Sequence, residues 1–302
     1  MSLPENSEPC LRIPPWLRVR LPRDKTFAST RGLLDGLALN TVCQSARCPN
    51  TWECFSNSVA TFLILGRQCT RNCAFCNISP GAPEPPDADE PRRVAEGAAR
   101  LGLKHVVVTS VTRDDLPDGG AAHFAETIRQ VRARLDGCAP HCTIEVLIPD
   151  FRGSAAALEI VLAAGPDVLN HNVETVPRLY ATIRPQADYA QSLTLLRRVA
   201  QRNAENSRRI PAKSGLMVGL GETDEELRQT IRDLAAAGCT MITVGQYMRP
   251  SLQHPPVMRY MPPEEFDALA EFGRSLGVAS MFCAPLVRSS YHAAELAGNA
   301  AV

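Results

Sequence analysis

No apolar stretch of this 302-residue chain is long enough to cross a bilayer: the longest near-apolar run, Val59 to Leu65, has seven residues, where a membrane helix takes about 20. Excess charge of either sign is missing too. Lys and Arg number 32 and Asp and Glu number 32, so the chain lacks the basic surplus of a protein that binds nucleic acid or an anionic membrane through charge alone. Aromatic residues are scarce at 5%, so the core must rest on Leu, Val, Ile and Ala. The first ten residues hold no Lys or Arg and no apolar run, and therefore show neither a secretory signal nor an Arg-rich presequence. With 45% hydrophobic and 21% charged residues the composition is that of a globular protein, and a reducing, cytoplasmic setting is expected.

Cysteine is what the chain has in plenty. Eleven are present, and six of them fall between Cys43 and Cys76. An odd total argues against a purely intrachain disulfide framework, and a chain of this length needs no covalent staples. Clustered, reduced thiols point to metal. They form two triplets, Cys43-x4-Cys48-x5-Cys54 and Cys69-x3-Cys73-x2-Cys76. Soft thiolates favour iron–sulfur clusters or zinc. Structural zinc closes on four ligands, so either triplet would need a distant fourth. Three thiolates on a [4Fe–4S] cluster instead leave one iron open, as chemistry on a bound ligand requires.

Residues 1 to 42 read as a polar, Pro-bearing extension, and Ala82 to Pro91, with four prolines and four acids, as an exposed loop. Strands are expected over 60–65, 105–111, 143–149, 167–174, 213–220 and 241–247. Helices are expected over 91–102, 121–135, 154–164, 188–202 and 224–237, with a last one opening at Pro262 and Pro263. Six nearly continuous apolar strands alternating with helices imply a parallel sheet covered by helices. Periodicity leaves a doubly wound sheet and a partial barrel both open. Polar residues gather at strand ends, where such folds build their sites: Ser110, Arg113 and Asp114; Asn172 and Glu174; Glu222; Gln246.

The second triplet, with Phe75 just before its last cysteine, resembles the signature of the radical S-adenosylmethionine superfamily. That resemblance implies a partial (β/α)6 TIM-type barrel. It also implies a [4Fe–4S] cluster on Cys69, Cys73 and Cys76 whose open iron binds S-adenosylmethionine, which is split to a 5′-deoxyadenosyl radical. The two triplets together resemble the lipoyl synthase family. So do Thr109–Leu116 with Asp118-Gly119-Gly120, Asn170–Thr175, Lys213–Glu222, and Arg288-Ser289-Ser290-Tyr291-His292-Ala293 near the end. The likeness runs over roughly residues 35 to 293. It implies that Cys43, Cys48 and Cys54 hold an auxiliary [4Fe–4S] cluster and that a serine of the last motif caps its fourth iron; Ser290 is preferred over Ser289.

The family resemblance further implies a sulfurtransferase that inserts sulfur at C6 and C8 of an octanoyl chain on a lysine of a lipoyl carrier domain. The carriers would be E2 subunits and the glycine cleavage H protein. Two S-adenosylmethionine molecules would be used per lipoyl group, with sulfur drawn from the auxiliary cluster. A flavodoxin or ferredoxin would supply electrons and an iron–sulfur carrier would repair the cluster; nucleic acid and membrane are not expected as partners. The expected division is an extension over 1–58 with the upstream triplet, the barrel over 59–280, and a C-terminal segment over 281–302, the two ends covering the open site. The competing readings are another two-cluster radical enzyme, such as a biotin-synthase-like or peptide-modifying one, and a zinc-stabilised binding protein without catalysis.

Several single residues carry a bland reading beside the functional one. Asn172 and Glu174 are expected at the ribose hydroxyls of S-adenosylmethionine, and Gly215, Gly219 and Glu222 beside its adenine. Arg113, Arg184 and Arg288 are candidate anchors for a carboxylate or for backbone, although a single arginine is more often an ion-pair residue. Asp114 and Asp115 fit loop or helix-end capping equally well. His171 is read as a hydrogen-bonded strand-end histidine rather than a metal ligand. Cys138 and Cys142 do not amount to a third metal site, and Cys10, Cys239 and Cys283 are read as ordinary thiols.

Overall fold

The structure, a computed structural model, describes residues 12–18, 26–57, 59–137, 139 and 142–290. Cys10, Cys138 and the Tyr291–Ala293 end of the last motif lie outside the described residues. The chain begins with helix α1 (Thr26–Gly36), strand β1 (Asn40–Thr41) and the short helices α2 (Val42–Ser45) and α3 (Thr51–Ser56). Strand β2 (Thr61–Ile64) leads to the two-residue strands β3 (Gln68–Cys69) and β4 (Ser79–Pro80). The alternation then runs α4 (Glu90–Arg100), β5 (His105–Ser110), α5 (Ala121–Leu135), β6 (Thr143–Leu147), α6 (Ala155–Ala163) and β7 (Val168–Asn170). After α7 (Tyr180–Ile183) and α8 (Tyr189–Glu205) come β8 (Ala212–Val218), α9 (Asp224–Ala236), β9 (Met241–Gln246), α10 (Pro263–Ser275) and β10 (Ser280–Cys283).

One sheet of eight strands organises the molecule, in the order β1-β2-β5-β6-β7-β8-β9-β10. From β2 to β10 every neighbour is parallel, and only β1 joins antiparallel. The order follows the chain, so each β–helix–β unit steps to the next position, as in a barrel wall. The expected partial barrel is therefore present, with its six expected strands and one more. The seventh parallel strand, β10, is short and carries Ser280 and Cys283, so its text has no long apolar run to announce it. It also runs across residues 280 and 281, where the C-terminal segment was expected to start.

Strand β7 is shorter than the expected 167–174. The chain leaves the sheet after Asn170 and returns at Glu174, which adopts φ +65° and pairs with Leu216 in an isolated bridge. Helix α9 begins with a capping box: Thr223 Oγ1 accepts from Glu226 N while the Glu226 carboxylate accepts from Thr223 N. Gly238 follows its last turn with φ +87°, a backbone conformation glycine adopts without strain.

The interior of the sheet also holds charge. Lys213 on β8 donates to both oxygens of Glu145 on β6, each at 2.9 Å, and both residues are fully buried. Asn170 Nδ2 adds a third hydrogen bond to Glu145. Burial works against the Glu145 charge, but Lys213 and His105 outweigh it and hold its pKa below the usual carboxylate range.

Candidate functional site

The second triplet sits in a loop framed by its own ribbon. Strands β3 and β4 pair in parallel on either side of it, and Gly81 N donates to Cys69 O. Backbone amides of Arg71 and Thr112 approach Cys69 Sγ at 3.4 and 3.3 Å, and Ile78 N approaches Cys76 Sγ at 3.4 Å. Such N–H···S contacts stabilise sulfur that carries negative charge, as cluster thiolates do. Arg71, inside the Cys-x3-Cys spacing, pins the loop to the barrel. It donates twice to Asp114 after β5 and twice to Asp150 after β6, at 2.7 to 2.9 Å. Only 6% of its surface is exposed, so the pair of carboxylates faces a cation that water reaches poorly. Neither Arg71 nor Asp150 was anticipated from the sequence, because their partners lie 43 and 79 residues away.

The upstream triplet is folded by α2 and α3. Thr41 caps α2, placing Cys43 on its first turn, while Cys54 lies on α3 and Cys48 in the turn between them. Thr51 Oγ1 braces the turn, lying 2.8 Å from the carbonyls of both Cys43 and Cys48 with its one hydrogen shared between them. Phe27 of α1 stacks on Trp52 with ring centroids 4.2 Å apart, holding α3 from outside. Asn77 Nδ2 donates to Ser45 O at 2.8 Å, so one hydrogen bond joins the two cysteine loops directly.

Burial pushes the thiols up, Cys43 to about 11 and Cys76 to about 12, and neighbouring thiols of the same triplet add to the rise. Cys48, Cys54 and Cys73 shift the same way, again chiefly through burial. Metal binding at either triplet must therefore release protons. Among the described residues no three His, Cys, Asp or Glu side chains converge as the ligands of one metal ion do. That is compatible with a cluster, because cysteines on separate irons of a cube stand farther apart than ligands on a single zinc. Three soft donors at each place, all but the buried Cys43 partly accessible, suit a [4Fe–4S] group.

The C-terminal segment meets the upstream cysteine loop and the sheet. Asn50 Nδ2 donates to Leu286 O at 2.7 Å. Gly245 on β9 has no Cβ, and a Cβ there would overlap Val287 O, so this glycine lets the segment lie directly on the sheet. Ser290 Oγ accepts from Thr61 Oγ1 at 2.8 Å, and Thr61 is close enough to the Cys43 thiol to pull its pKa down against burial. Ser289 turns the other way and accepts from Asn172 Nδ2 at 2.6 Å. Arg288 is enclosed between Cys48 and Glu174; burial pushes its guanidinium pKa down although both neighbours favour the charge.

Asn172, Glu174 and Arg184 form one group after β7. Asn172 Nδ2 donates to Glu174 Oε1 at 3.0 Å, and Arg184 Nη1 donates to the carbonyls of Asn172 and Val173. Asn172 Oδ1 and Arg184 Nε are buried without a hydrogen-bond partner, an unmet demand a polar ligand can meet. Burial raises the Glu174 carboxyl against the pull of Arg184 and Asn172. Gly215 lies beside this group, and Phe75 packs partly buried against the core. Glu222 is taken up by its own loop, accepting from the amides of Gly219 and Leu220.

Other sequence candidates turn out to be structural. Arg113 donates to Leu65 O and pairs with Asp115, so it anchors backbone, and Asp114 belongs to Arg71. His171 donates through Nδ1 to Ile148 O and has Nε2 3.1 Å from Ser192 Oγ, the hydrogen-bonded histidine expected. Cys239 and Cys283 are buried.

The Radical SAM superfamily model matches residues 63–234. A lipoyl synthase of Nitratidesulfovibrio vulgaris (strain DP4) is 65% identical over 300 residues, covering 99% of this chain and 97% of that protein. A lipoyl synthase of Oleidesulfovibrio alaskensis is 64% identical over 293 residues and covers 97% of each. Among solved structures, HydG, a maturase of the [FeFe]-hydrogenase, superposes with a TM-score of 0.58 at 16% identity, over 94% of this chain and 61% of that one, a likeness of fold. Matched along its whole length by these relatives, and with its cysteine loops at the ends of a parallel β/α sheet, the chain belongs to the lipoyl synthase family of the radical S-adenosylmethionine superfamily.

Proposed function

We propose that this sulfurtransferase inserts sulfur at C6 and C8 of an octanoyl chain held on a lysine of a lipoyl carrier domain, with the two cysteine triplets holding separate clusters. Superfamily membership brings one [4Fe–4S] cluster and S-adenosylmethionine, and Cys69, Cys73 and Cys76 are the residues to hold that cluster. Cys43, Cys48, Cys54 and Ser290 are the set for the second. When bound, the first cluster with S-adenosylmethionine supplies the radical that removes hydrogen from the octanoyl chain, once per sulfur, and the second supplies the sulfide.

The observation that carries this reading is the hydrogen bond of Ser290 to Thr61, a residue close enough to Cys43 to pull its thiol pKa down. A hydroxyl oxygen beside three thiols offers a hard, weakly held fourth ligand, suited to an iron that must be released when sulfide is consumed. The chain's own residues do the rest. Arg71 with Asp114 and Asp150 holds the loop of Cys69, Cys73 and Cys76 in place. Asn172, Glu174 and Arg184 present polar groups to S-adenosylmethionine, with Phe75, Gly215, Gly219 and Glu222 shaping the wall beside it.

Lipoyl synthases act on lipoyl carrier domains; for this chain we infer E2 subunits and a glycine cleavage H protein as carriers. A flavodoxin or ferredoxin serves as reductant and an iron–sulfur carrier rebuilds the second cluster, all in a reducing cytoplasm. No helix among the described residues is long and apolar enough to cross a membrane.

The test is anaerobic iron and sulfide counting on wild type and on a variant with Cys43, Cys48 and Cys54 all changed to Ala. About eight irons should fall to about four, and only the wild type should add two sulfurs to an octanoylated carrier domain by mass spectrometry. About four irons in both proteins would overturn the two-cluster reading.

A further inference from the structure

Two adjacent serines of the C-terminal segment face different sites. Ser290 is bonded to Thr61, a neighbour of Cys43 in the upstream triplet, whereas Ser289 is bonded to Asn172, 117 residues earlier. The Asn172 amide is fully committed on its nitrogen side. Nδ2 has two hydrogens, and it gives one to Ser289 Oγ at 2.6 Å and one to Glu174 Oε1 at 3.0 Å. A carboxylate only accepts, so Nδ2 must face Glu174 and Oδ1 must face away from it. That oxygen is buried and has no partner.

The surroundings leave the amide little freedom. Gly215 on β8 lies against it, and a Cβ there would stand 3.0 Å from Asn172 Oδ1 and 3.1 Å from Ser289 Oγ. Arg184 holds the Asn172 carbonyl from the other side at 3.0 Å. The serine hydroxyl comes from the most distant part of the chain among these, from a segment that Asn50 and Gly245 hold on the sheet.

We propose that Ser289 is a positioning residue for S-adenosylmethionine: it holds the Asn172 amide so that its free Oδ1 accepts a hydrogen bond from a hydroxyl of the ligand. This rests on the proposed function of the site and adds to it a residue whose role differs from that of its neighbour. Ser289 touches neither cluster nor ligand; it acts through Asn172. Without the hydroxyl, Nδ2 loses one of its two acceptors, the amide is free to turn, and Oδ1 is no longer pre-set.

The experiment uses the full chain, reconstituted anaerobically with iron and sulfide, and measures S-adenosylmethionine affinity by equilibrium dialysis alongside iron content. Ser289→Ala should keep the iron and sulfide of wild type and weaken binding roughly three- to tenfold, the worth of one hydrogen bond. Ser289→Thr, which retains the hydroxyl, should bind close to wild type. Asn172→Ala should also bind weakly, and adding Ser289→Ala to it should change nothing further, because the serine has no other route to the ligand. The proposal is overturned if Ser289→Ala binds as wild type does, if the two substitutions add, or if Ser289→Ala loses iron with its affinity unchanged, which would make Ser289 the ligand. A wild type that binds no S-adenosylmethionine would instead overturn the proposed function itself.

Discussion

Thr61 and Ser290 stand 229 residues apart in the chain and meet at 2.8 Å, the Thr61 hydroxyl donating to Ser290 Oγ. Thr61 opens β2, the first parallel strand, and is close enough to the Cys43 thiol to pull its pKa down. One residue therefore neighbours the upstream cysteine loop, the edge of the barrel and the C-terminal segment. Thr61→Val keeps the shape and removes the donor. It should lower unfolding stability by about 1 kcal/mol and make the upstream iron easier to lose, measured as iron retained per chain after incubation with a chelator. Full retention would show that the Thr61 contact does not hold Ser290 in place.

The two triplets should separate by function. Cys73→Ala should abolish S-adenosylmethionine cleavage. Cys48→Ala should still cleave it, abortively, while sulfur insertion disappears. Production of 5′-deoxyadenosine and of lipoyl product, followed in the same anaerobic assay, distinguishes the two. Equal loss of cleavage in both variants, with folds intact, would mean that the division of labour is wrong.

Gly245→Ala tests how closely the C-terminal segment lies on β9. The new Cβ would overlap the Val287 carbonyl, a backbone atom that cannot rotate aside. Overpacking of this kind costs about 1–3 kcal/mol, and lifting the segment should carry Ser290 away from Cys43. Iron at the upstream triplet should fall while iron at Cys69, Cys73 and Cys76 stays. A variant with the iron of both triplets intact and an unchanged Tm would show that the segment has room to shift.

His171 gives the protein a pH dependence of known sign. Burial, helped by the positive charge of Arg184, pushes its pKa down from 6.5 to about 4. Between those values the unfolded chain binds a proton that the folded one refuses, so stability falls as pH drops from about 6.5 to about 4, by up to about 3 kcal/mol. His171→Gln removes this titration and should flatten the stability profile over that window in urea unfolding. An unchanged profile would place the pH dependence elsewhere.

Lys213 and Glu145 form a buried pair inside the sheet, and removing one partner strands the other. Lys213→Met should cost about 3–5 kcal/mol. Changing both, with Glu145→Leu, should recover much of that loss, because no unpaired charge remains. Urea midpoints of the single and double variants decide it: a double variant as unstable as the single one would show that packing, not charge, sets the cost.

Much of the architecture was legible because its signals are local. Apolar runs such as His105–Ser110 and Met241–Gln246 mark buried parallel strands by themselves, and Thr223 with Glu226 marks the start of α9. Strand β10 escaped because four residues with a serine and a cysteine among them become a strand only when β9 offers them a ladder. The end of β7 was misjudged for a related reason: Asn172 and Glu174 read as strand, but the chain leaves the sheet there and Glu174 takes φ +65°.

The sequence alone determined the two cysteine triplets, their separation by a strand and the parallel β/α alternation, since spacing and apolar period are properties of neighbouring residues. The family resemblance, not spacing or period, singled out Ser290 with its neighbour. The tertiary structure decided which partners those residues meet. Ser290 faces Thr61 while Ser289 faces Asn172, Arg71 gathers Asp114 and Asp150, and Glu222 closes on its own loop. The long-range pairings among these form between segments far apart in the chain, and only the order of strands in the sheet brings them within hydrogen-bonding distance.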